Sequence, residues 1–324
     1  MKKKVTAAWA KQNIIMFAFI ALFIIFTIIC PTFTNSNNIL NITRQISFIG
    51  IAAVGMMSVI LTGGIDLSIG STVQLINVIC AAIMVSYGAS AVIAVLVSII
   101  LALIIGLING VLIAKVHIPP IIVTMASMNV VNGAAYLISG GQSIFGFSKD
   151  FAIMGQGYIG IIPIPTIIMF VIFAVGAFVL NMTIFGRNLY AVGGNAEATR
   201  LAGTNVEQVQ IMAYVASSFF ASIAGLLMLS RLMSGTANTG KGFEFEVITA
   251  VVLGGVSVNG GSGRLFSVIF GVLIIGVLNN GLTLMGMNTY WQHIFNGIVL
   301  VIAVGMDCIS KRRSSIIKVA DDSE

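Results

Sequence analysis

The side chains that could carry chemistry in this 324-residue sequence are few and scattered. Residues 235–241 come near the spacing of a phosphate-binding loop, whose glycines cradle phosphate groups. However, the next residue is Gly242, where such a loop needs a Ser or Thr hydroxyl for magnesium. The segment also follows an apolar stretch of helical length and not a strand. We therefore predict that the chain itself is not an ATPase.

The cysteines and histidines do not indicate a metal or disulfide site. Cys30, Cys80 and Cys308 fall in or near separate apolar segments. His117 and His293 have no partner at the spacing of metal ligands. We interpret all of them as structural residues and expect no metal.

Asp66 is the main ionisable residue in the apolar part of the chain, within the segment GGIDLSIG. It could lie in a solvated turn between two helices, with Ser68 and Ser71 capping the second helix. Alternatively, the glycines could interrupt a helix inside a membrane. Asp66 would then be a gate or a cargo contact, together with Gly64, Ser68 and Gly70. Both interpretations remain open.

Glu244 and Glu246 stand at the start of another apolar segment. Acidic residues at a helix N-terminus are stabilising without any function. They could also line the outer mouth of a path or meet a partner protein.

Uncharged amides lie inside several apolar segments. They could join helices by hydrogen bonds. They could also line a path for a neutral, hydroxyl-rich solute, because they offer donors and acceptors without the cost of a buried charge. The set comprises Gln74, Asn77, Asn109, Asn129, Asn132, Asn279 and Asn280. Gly106 and Gly110 form a GxxxG pair, which permits close helix contact.

The elements that hold these residues are apolar helices. Hydrophobic residues make up 58% of the chain and charged residues only 8%, whereas a soluble domain has about 25% charged residues. A crossing takes about 20 apolar residues, and the charge-free intervals predict ten crossings, the weakest over 247–263. We predict an all-α polytopic membrane protein. Its permease domain covers residues 1–317, and residues 318–324 form a disordered cytosolic tail.

The basic residues orient the predicted helices. With the N-terminus inside, twelve of the sixteen Lys and Arg residues fall in inner segments, as expected for a membrane protein. The four outer ones are Arg44, Lys149, Arg231 and Lys241. Both termini are therefore predicted to be cytoplasmic, and the net charge of +6 requires no nucleic-acid partner. No cleavage site follows the N-terminal apolar run, so we expect an uncleaved first helix.

The two halves of the chain resemble each other at an offset of 170 residues. LIIGLING matches LIIGVLNN, and the same offset places Gly70 on Gly240 and Asn109 on Asn279. The matched crossings run in opposite directions. The pattern predicts an inverted repeat of helices 2–5 and 7–10, a common plan of transporters.

A short polar stretch interrupts the apolar pattern after the sixth crossing. Asn195 is a favourable N-cap for a helix over residues 196–202. Glu197 and Arg200 suit the dipole of that helix, and Gly203 is placed to end it.

The next helix is predicted to begin at a capping box formed by Thr204 and Glu207. A helix of about two turns is marginal in water, so the polar helix must be held by something. It could be an interfacial connector within its own protein, or a docking point for a cytosolic partner.

Four segments carry a family resemblance. They are ILTGGIDLSIGS (60–71), GRNLYAVGGNAEATRLAG (186–203), GFEFEVITAVVLGGVSVNGGSGR (242–264) and GVLNNGL (276–282). With them, from about Ile14 to Lys311, the chain resembles the permeases of bacterial ABC importers, and among these the ribose, galactose and xylose type.

The resemblance implies a ten-helix subunit that pairs with a second permease, expected to be an identical copy, around a central path. A cytosolic ABC ATPase would use ATP and Mg²⁺, and an extracytoplasmic sugar-binding protein would deliver a monosaccharide. The chain itself would bind no cofactor and catalyse no reaction. The residues assigned to ATPase coupling are Gly194, Asn195, Glu197, Thr199, Arg200, Leu201 and Gly203. The residues assigned to a gate or path are Gly64, Asp66, Ser68, Gly70, Gln74, Asn77, Asn109, Asn129, Asn279, Asn280 and Glu244.

Two alternatives remain. One is a related permease for another small polar solute, such as a branched-chain amino acid or a furanone signal. The other is a stand-alone secondary carrier. The scarcity of charges in the predicted helices argues against both, because an amino acid needs partners for its charges and ion-driven carriers usually have ionisable residues within helices.

Overall fold

The computed structural model describes residues 14–321, which fold almost entirely into helices. In chain order the helices are α1 (Ile14–Ile29), α2 (Ser36–Leu61), α3 (Ile69–Ser86), α4 (Ala91–Ala114), α5 (Pro120–Ser139), α6 (Ile153–Gln156), α7 (Ile164–Met182), α8 (Ile184–Gly194), α9 (Ala196–Leu201), α10 (Val206–Leu232), α11 (Phe243–Leu253), α12 (Leu265–Leu284) and α13 (Thr289–Asp321). A 3-10 turn (Lys149–Ala152) precedes α6, and the two-residue strands β1 (Tyr158–Ile159) and β2 (Ile162–Pro163) pair antiparallel.

Eight of the described helices are long and apolar enough to cross a membrane, which confirms the all-α, multi-pass architecture. They are α2, α3, α4, α5, α7, α10, α12 and α13. The predicted full crossing over 247–263 is wrong, because α11 has only 11 residues and ends at Leu253. At 1.5 Å per residue it covers about 16 Å, roughly half of a hydrocarbon core of about 30 Å. Glycines at positive φ, among them Gly255 and Gly260, then form a turn.

The segment between α10 and α11 folds back among the helices. The backbone N–H of Thr236 donates a hydrogen bond to Asn77 Oδ1 on α3 (2.8 Å). A methyl group placed on Gly70 would lie 2.8 Å from the carbonyl oxygen of Gly240, and one on Gly240 would lie 2.9 Å from the oxygen of Gly70. These two glycines are the pair aligned by the 170-residue offset, and each lies against the carbonyl oxygen of the other. The inverted repeat itself stays a prediction.

The longest helix of the core, α10, packs closely against α4. A methyl group on Gly106 would lie 2.6 Å from the carbonyl oxygen of Tyr214, and one on Gly110 would lie 2.8 Å from Ile211 Cα. Both obstacles are backbone atoms of α10. The GxxxG pair is therefore confirmed as a helix contact.

Substituting Gly106 with alanine should destabilise the bundle by about 1–3 kcal/mol, because the added methyl group has no space and backbone must move. Gly133→Ala is the matched control, since nothing lies within 4 Å of a methyl group there. The measurement is thermal unfolding of both variants in detergent. A Gly106→Ala protein as stable as the Gly133→Ala protein would contradict the close packing of α4 against α10.

The two ends of the bundle can be told apart by their loops. At one end, called the α9 end, the Gly261 N–H donates to Leu61 O (3.0 Å), and Tyr190 Oη donates to Gly263 O (3.0 Å). These contacts join the end of α2, helix α8 and the turn after α11. At the opposite end, Ile144 pairs with Gly235.

The first and last helices complete the bundle. α1 packs against α12, where the ring of Phe26 lies over Gly281 and the rings of Phe19 and Phe270 are 6.4 Å apart. α13 continues through Asp321. The tail predicted at 318–324 overlaps the end of this helix, and residues 322–324 lie outside the described residues, as do 1–13.

Candidate functional site

The polar helix α9 is formed as its local sequence predicts. Asn195 Oδ1 accepts a hydrogen bond from the Ala198 N–H (2.9 Å), which confirms the N-cap. Gly203 has φ +87° and ends the turn after the helix. Gly194 is the last residue of α8, so α8 and α9 are separated only by the cap residue.

The surface of α9 combines charges with an apolar side chain. Arg200 Nη1 lies 3.2 Å from Glu197 Oε2, and these side chains are 54% and 70% exposed. Leu201 is 82% exposed. Only Thr199 is buried, and its Oγ1 donates to Asn195 O (2.7 Å). An exposed leucine beside an exposed ion pair offers a partner both an apolar anchor and charged contacts.

The predicted capping box of Thr204 and Glu207 is wrong. α10 begins at Val206, and its N-cap is Asn205, whose Oδ1 accepts a hydrogen bond from the Gln208 N–H (3.0 Å). The Thr204 N–H instead bonds back to Thr199 O (3.2 Å), and with the bond from Gly203 N–H to Arg200 O (2.9 Å) it closes the turn that ends α9.

Asp66 lies in the interruption between α2 and α3 and is fully buried, which rules out the solvated-turn interpretation. Its Oδ1 accepts hydrogen bonds from the N–H (2.9 Å) and Oγ (2.6 Å) of Ser68. Its Oδ2 accepts one from Ser217 Oγ (2.7 Å). Ser217 is the twelfth residue of the 27-residue α10, so Asp66 lies near the middle of that helix.

The predicted caps of α3 are also wrong. Ser68 occupies the N-cap position, but its side chain donates to Asp66 and makes no capping hydrogen bond. Ser71 Oγ donates to Ser68 O (2.9 Å). To cap the helix, Ser68 Oγ would have to accept a bond from a backbone N–H, but it instead accepts one from Asn109 Nδ2 (3.0 Å).

The α2–α3 interruption is also linked to α4 and, by a second residue, to α10. Asn109 on α4 donates through Nδ2 to Ser68 Oγ (3.0 Å). The hydroxyl of Tyr214 on α10 lies against Gly64, where a side chain would collide with it. Within residues 14–321, Tyr214 Oη and Asn109 Oδ1 are buried without a hydrogen-bond partner. The hydrogen bonds of a few polar groups thus hold the interruption against α4 and α10. Any movement of the interruption must break these bonds together.

Glu244 approaches the same region from α11. Its side chain is buried, and its carboxylate lies against Gly70, in the first turn of α3. A carboxylate is favoured at this place by the free N–H groups of the helix N-terminus. Gly70 must be small because any side chain would meet Glu244 or the Gly240 backbone.

Four of the predicted path amides join elements of the protein, and one of them is Asn279, which bonds Glu246 on α11 (3.1 Å). Asn77 accepts from the Thr236 N–H, and Asn109 bonds Ser68. Asn280 exchanges two hydrogen bonds with Asn38, each 2.9 Å long. At these positions the structure favours the interpretation of amides as contacts between helices.

The remaining amides are dispersed. Gln74 is buried, with its Oε1 unpartnered. Asn129 is exposed on α5 and donates to Met125 O of its own helix (3.1 Å), and Asn132 is half-buried. The structure does not bring the whole set together within one subunit.

Asn279 and Glu246 border a cavity of about 230 Å³ between α2, α10, α11, α12 and α13. Its other polar lining residues are Gln45, Arg231 and Gln292, and its apolar ones include Phe48, Ile49, Met228 and Phe243. Nothing in the sequence pattern singles out Gln45 or Gln292. The sequence does single out Arg231, because it is one of the four basic residues on the predicted outer side.

Comparison with known proteins places the chain among permeases. Residues 38–304 match the family described as branched-chain amino acid transport system / permease component. The ribose import permease protein of Bacillus subtilis (strain 168) is 42% identical over 88% of this chain and 89% of the relative. The galactose/methyl galactoside import permease protein of Salmonella typhimurium is 36% identical over 97% and 98%. The L-arabinose transport system permease protein of Escherichia coli (strain K12) is 36% identical over 92% and 90%. No solved structure matches the chain.

Proposed function

Because the chain belongs to the family described as branched-chain amino acid transport system / permease component, we propose that it is the membrane permease subunit of an ATP-driven importer for a monosaccharide. The observation that carries the proposal is the near full-length similarity to import permeases named for ribose, galactose and arabinose. The protein is a multi-pass protein of the cytoplasmic membrane, with eight helices that meet the length and apolarity of a crossing.

The complete membrane domain has ten helices in this proposal, with both termini cytoplasmic. α1 and the half-length α11 join the eight long helices, and α2–α5 and α10–α13 form the two inverted units. A second permease, an identical copy, completes the path. ATP and Mg²⁺ are used by a separate cytosolic ATPase, and an extracytoplasmic sugar-binding protein delivers the cargo. The chain itself carries out no catalysis.

α9 is the contact through which the ATPase acts. Its exposure supports this role, because only Thr199 of its six residues is buried, which leaves Glu197, Arg200 and Leu201 exposed to a partner. The α2–α3 interruption with Asp66 is the gate in this scheme. The interruption starts after Leu61 at the α9 end of the bundle, beside the turn after α11 and the end of α8, and Asp66 lies further in, at Ser217 of α10.

Exchanging the charges of Glu197 and Arg200 singly, as Glu197→Arg or Arg200→Glu, should uncouple ATP hydrolysis from uptake with little loss of folding. The exposed ion pair contributes only about 0–1 kcal/mol to stability. The readout is sugar taken up per ATP hydrolysed in reconstituted vesicles. Variants that transport with the normal ratio would show that α9 is not the coupling contact.

The proposed function is tested by purifying the tagged chain from its native membrane in mild detergent and identifying what is bound to it. We expect a stoichiometric ATPase that is lost when residues 196–202 are replaced by a Gly-Ser linker. Reconstituted complex, binding protein and ATP should accumulate D-ribose, D-galactose or L-arabinose. A chain that purifies alone and still transports in vesicles without ATP would instead be a secondary carrier.

A further inference from the structure

We propose that the cavity between α2, α10, α11, α12 and α13 is a binding site for one monosaccharide within a single subunit. The inference rests on the proposed function and deepens it, because it places the neutral, hydroxyl-rich solute in a pocket of one protomer and not only between two. The cavity measures about 230 Å³.

The charges on the cavity wall are opposite and kept apart. Arg231 and Glu246 both line the cavity. Within the part of the chain that the structure describes, however, the only ion pair closer than 4.0 Å is Glu197–Arg200. The Arg231 guanidinium instead stands 5.7 Å from the ring centre of Phe48. A solute between the two charges can donate hydroxyl hydrogens to the carboxylate and accept hydrogen bonds from the guanidinium.

The polar lining has hydrogen-bonding capacity that the protein does not use. Glu246 Oε1 accepts bonds from Asn279 Nδ2 (3.1 Å) and Asn296 Nδ2 (3.4 Å), whereas Oε2 takes part in neither. Gln45, on the α2 side, has a buried Oε1 that finds no hydrogen-bond partner among the described residues. Buried polar atoms are normally hydrogen-bonded, so the open position at Gln45 Oε1 indicates that a polar guest, or water that it replaces, completes the site.

The apolar part of the cavity wall suits the C–H groups of a sugar ring. Phe48 and Phe243 line the cavity, and both are buried. Their rings can cover the C–H groups of a sugar ring while the amides and charges bind its hydroxyls, which is the usual division in small-molecule pockets.

The position of the cavity suits a solute that arrives at the end opposite α9. Arg231 lies in the last turn of α10, and Gln292 lies in the first turn of α13. The short helix α6 packs over Arg231, since Gln156 Nε2 donates to Arg231 O (2.8 Å). The half-length α11 makes room for the cavity, because it begins at Phe243 inside the bundle.

The inference is tested by equilibrium binding of radiolabelled D-ribose, D-galactose and L-arabinose to the complete transporter in lipid nanodiscs. For the sugar that the wild type transports, Glu246→Gln and Arg231→Met should each weaken binding by about tenfold or more, the loss expected for a hydrogen bond to a charged group. Glu207→Gln and Arg187→Met make the same chemical changes far from the cavity. These controls should stay within about twofold of the wild type.

A second measurement does not depend on those variants folding. In a Cys308→Ser background, where Cys30 and Cys80 are buried, Gln45→Cys should react with a small methanethiosulfonate reagent. The transported sugar should protect it.

The outcomes separate the inference from the proposed function. Normal sugar uptake and binding in both cavity variants, or Gln45→Cys labelling that saturating sugar does not slow, would overturn the cavity site while leaving the permease function intact. Protection by leucine and not by any of the sugars would overturn the solute class, because the separated charges would then be serving a zwitterion. A wild-type complex that moves none of the three sugars would contradict the proposed function itself.

Discussion

Leu201→Glu is expected to weaken binding of the ATPase by about 30-fold or more, and thereby to reduce sugar uptake, while leaving the permease folded. Leu201 is 82% exposed at the end of α9, so the new charge meets water in the isolated subunit and destabilises nothing there. In the complex, the side chain would be an apolar anchor in the ATPase, and losing such an anchor costs about 2 kcal/mol or more. This corresponds to roughly 30-fold in affinity. The measurement is co-purification of the ATPase, followed by ATP-driven uptake in vesicles.

Two controls make this result specific. Leu201→Met keeps an apolar side chain of similar volume and should retain the ATPase. Ile161→Glu introduces the same charge at an apolar side chain that is 81% exposed, in the turn between β1 and β2, and it should also retain the ATPase. Equal loss of the ATPase in Leu201→Glu and Ile161→Glu would mean that surface charge alone disturbs the complex. Full retention in Leu201→Glu would remove Leu201 from the interface.

The sequence predicts α9 well because short-range rules decide it. A cap, two charges placed for the helix dipole and a terminal glycine all act within one or two turns, and the structure reproduces the positions of Asn195 and Gly203. The start of α10 is missed by one residue for an equally local reason. Thr204 is used by the turn that ends α9, so Asn205 becomes the cap.

The half-length α11 could not be predicted from charge-free intervals. An interval without charges shows where a helix could cross a membrane, but it contains no information on where the helix starts within the bundle. Just before that start, Gly240 lies against Gly70, which is far away in sequence. The 170-residue offset aligned these two residues without indicating that they touch.

Local sequence patterns also could not predict the environment of Asp66 or the cavity. Asp66 is buried because Ser217, 151 positions away, supplies a hydroxyl to its second oxygen. The cavity needs Gln45, Arg231 and Gln292, which come from three different helices. Periodicity predicts which helices exist, whereas these sites are decided by which helices become neighbours.

Asp66→Ala is expected to destabilise the protein by about 3 kcal/mol or more and to abolish uptake. The substitution leaves the Ser68 N–H and the hydroxyls of Ser68 and Ser217 without the buried carboxylate that accepts all three hydrogen bonds. Hydrogen bonds to charged groups contribute about 1.5–3 kcal/mol each. The α2–α3 interruption would then lose its fixed position against α10. Thermal unfolding in detergent and uptake in vesicles measure the two effects.

The Asp66→Asn variant tests whether Asp66 acts through its hydrogen bonds or through its negative charge. The amide oxygen can accept both hydrogen bonds from Ser68, and the amide nitrogen can donate to Ser217 Oγ, which also accepts. If Asp66 acts by holding the interruption in place, the Asn variant should be nearly as stable as the wild type and retain most of its uptake. Ser217→Ala, which removes one of the three bonds, should fall between Asn and Ala in stability. A stable Asn variant without uptake would contradict the positioning role and assign a direct part in transport to the negative charge.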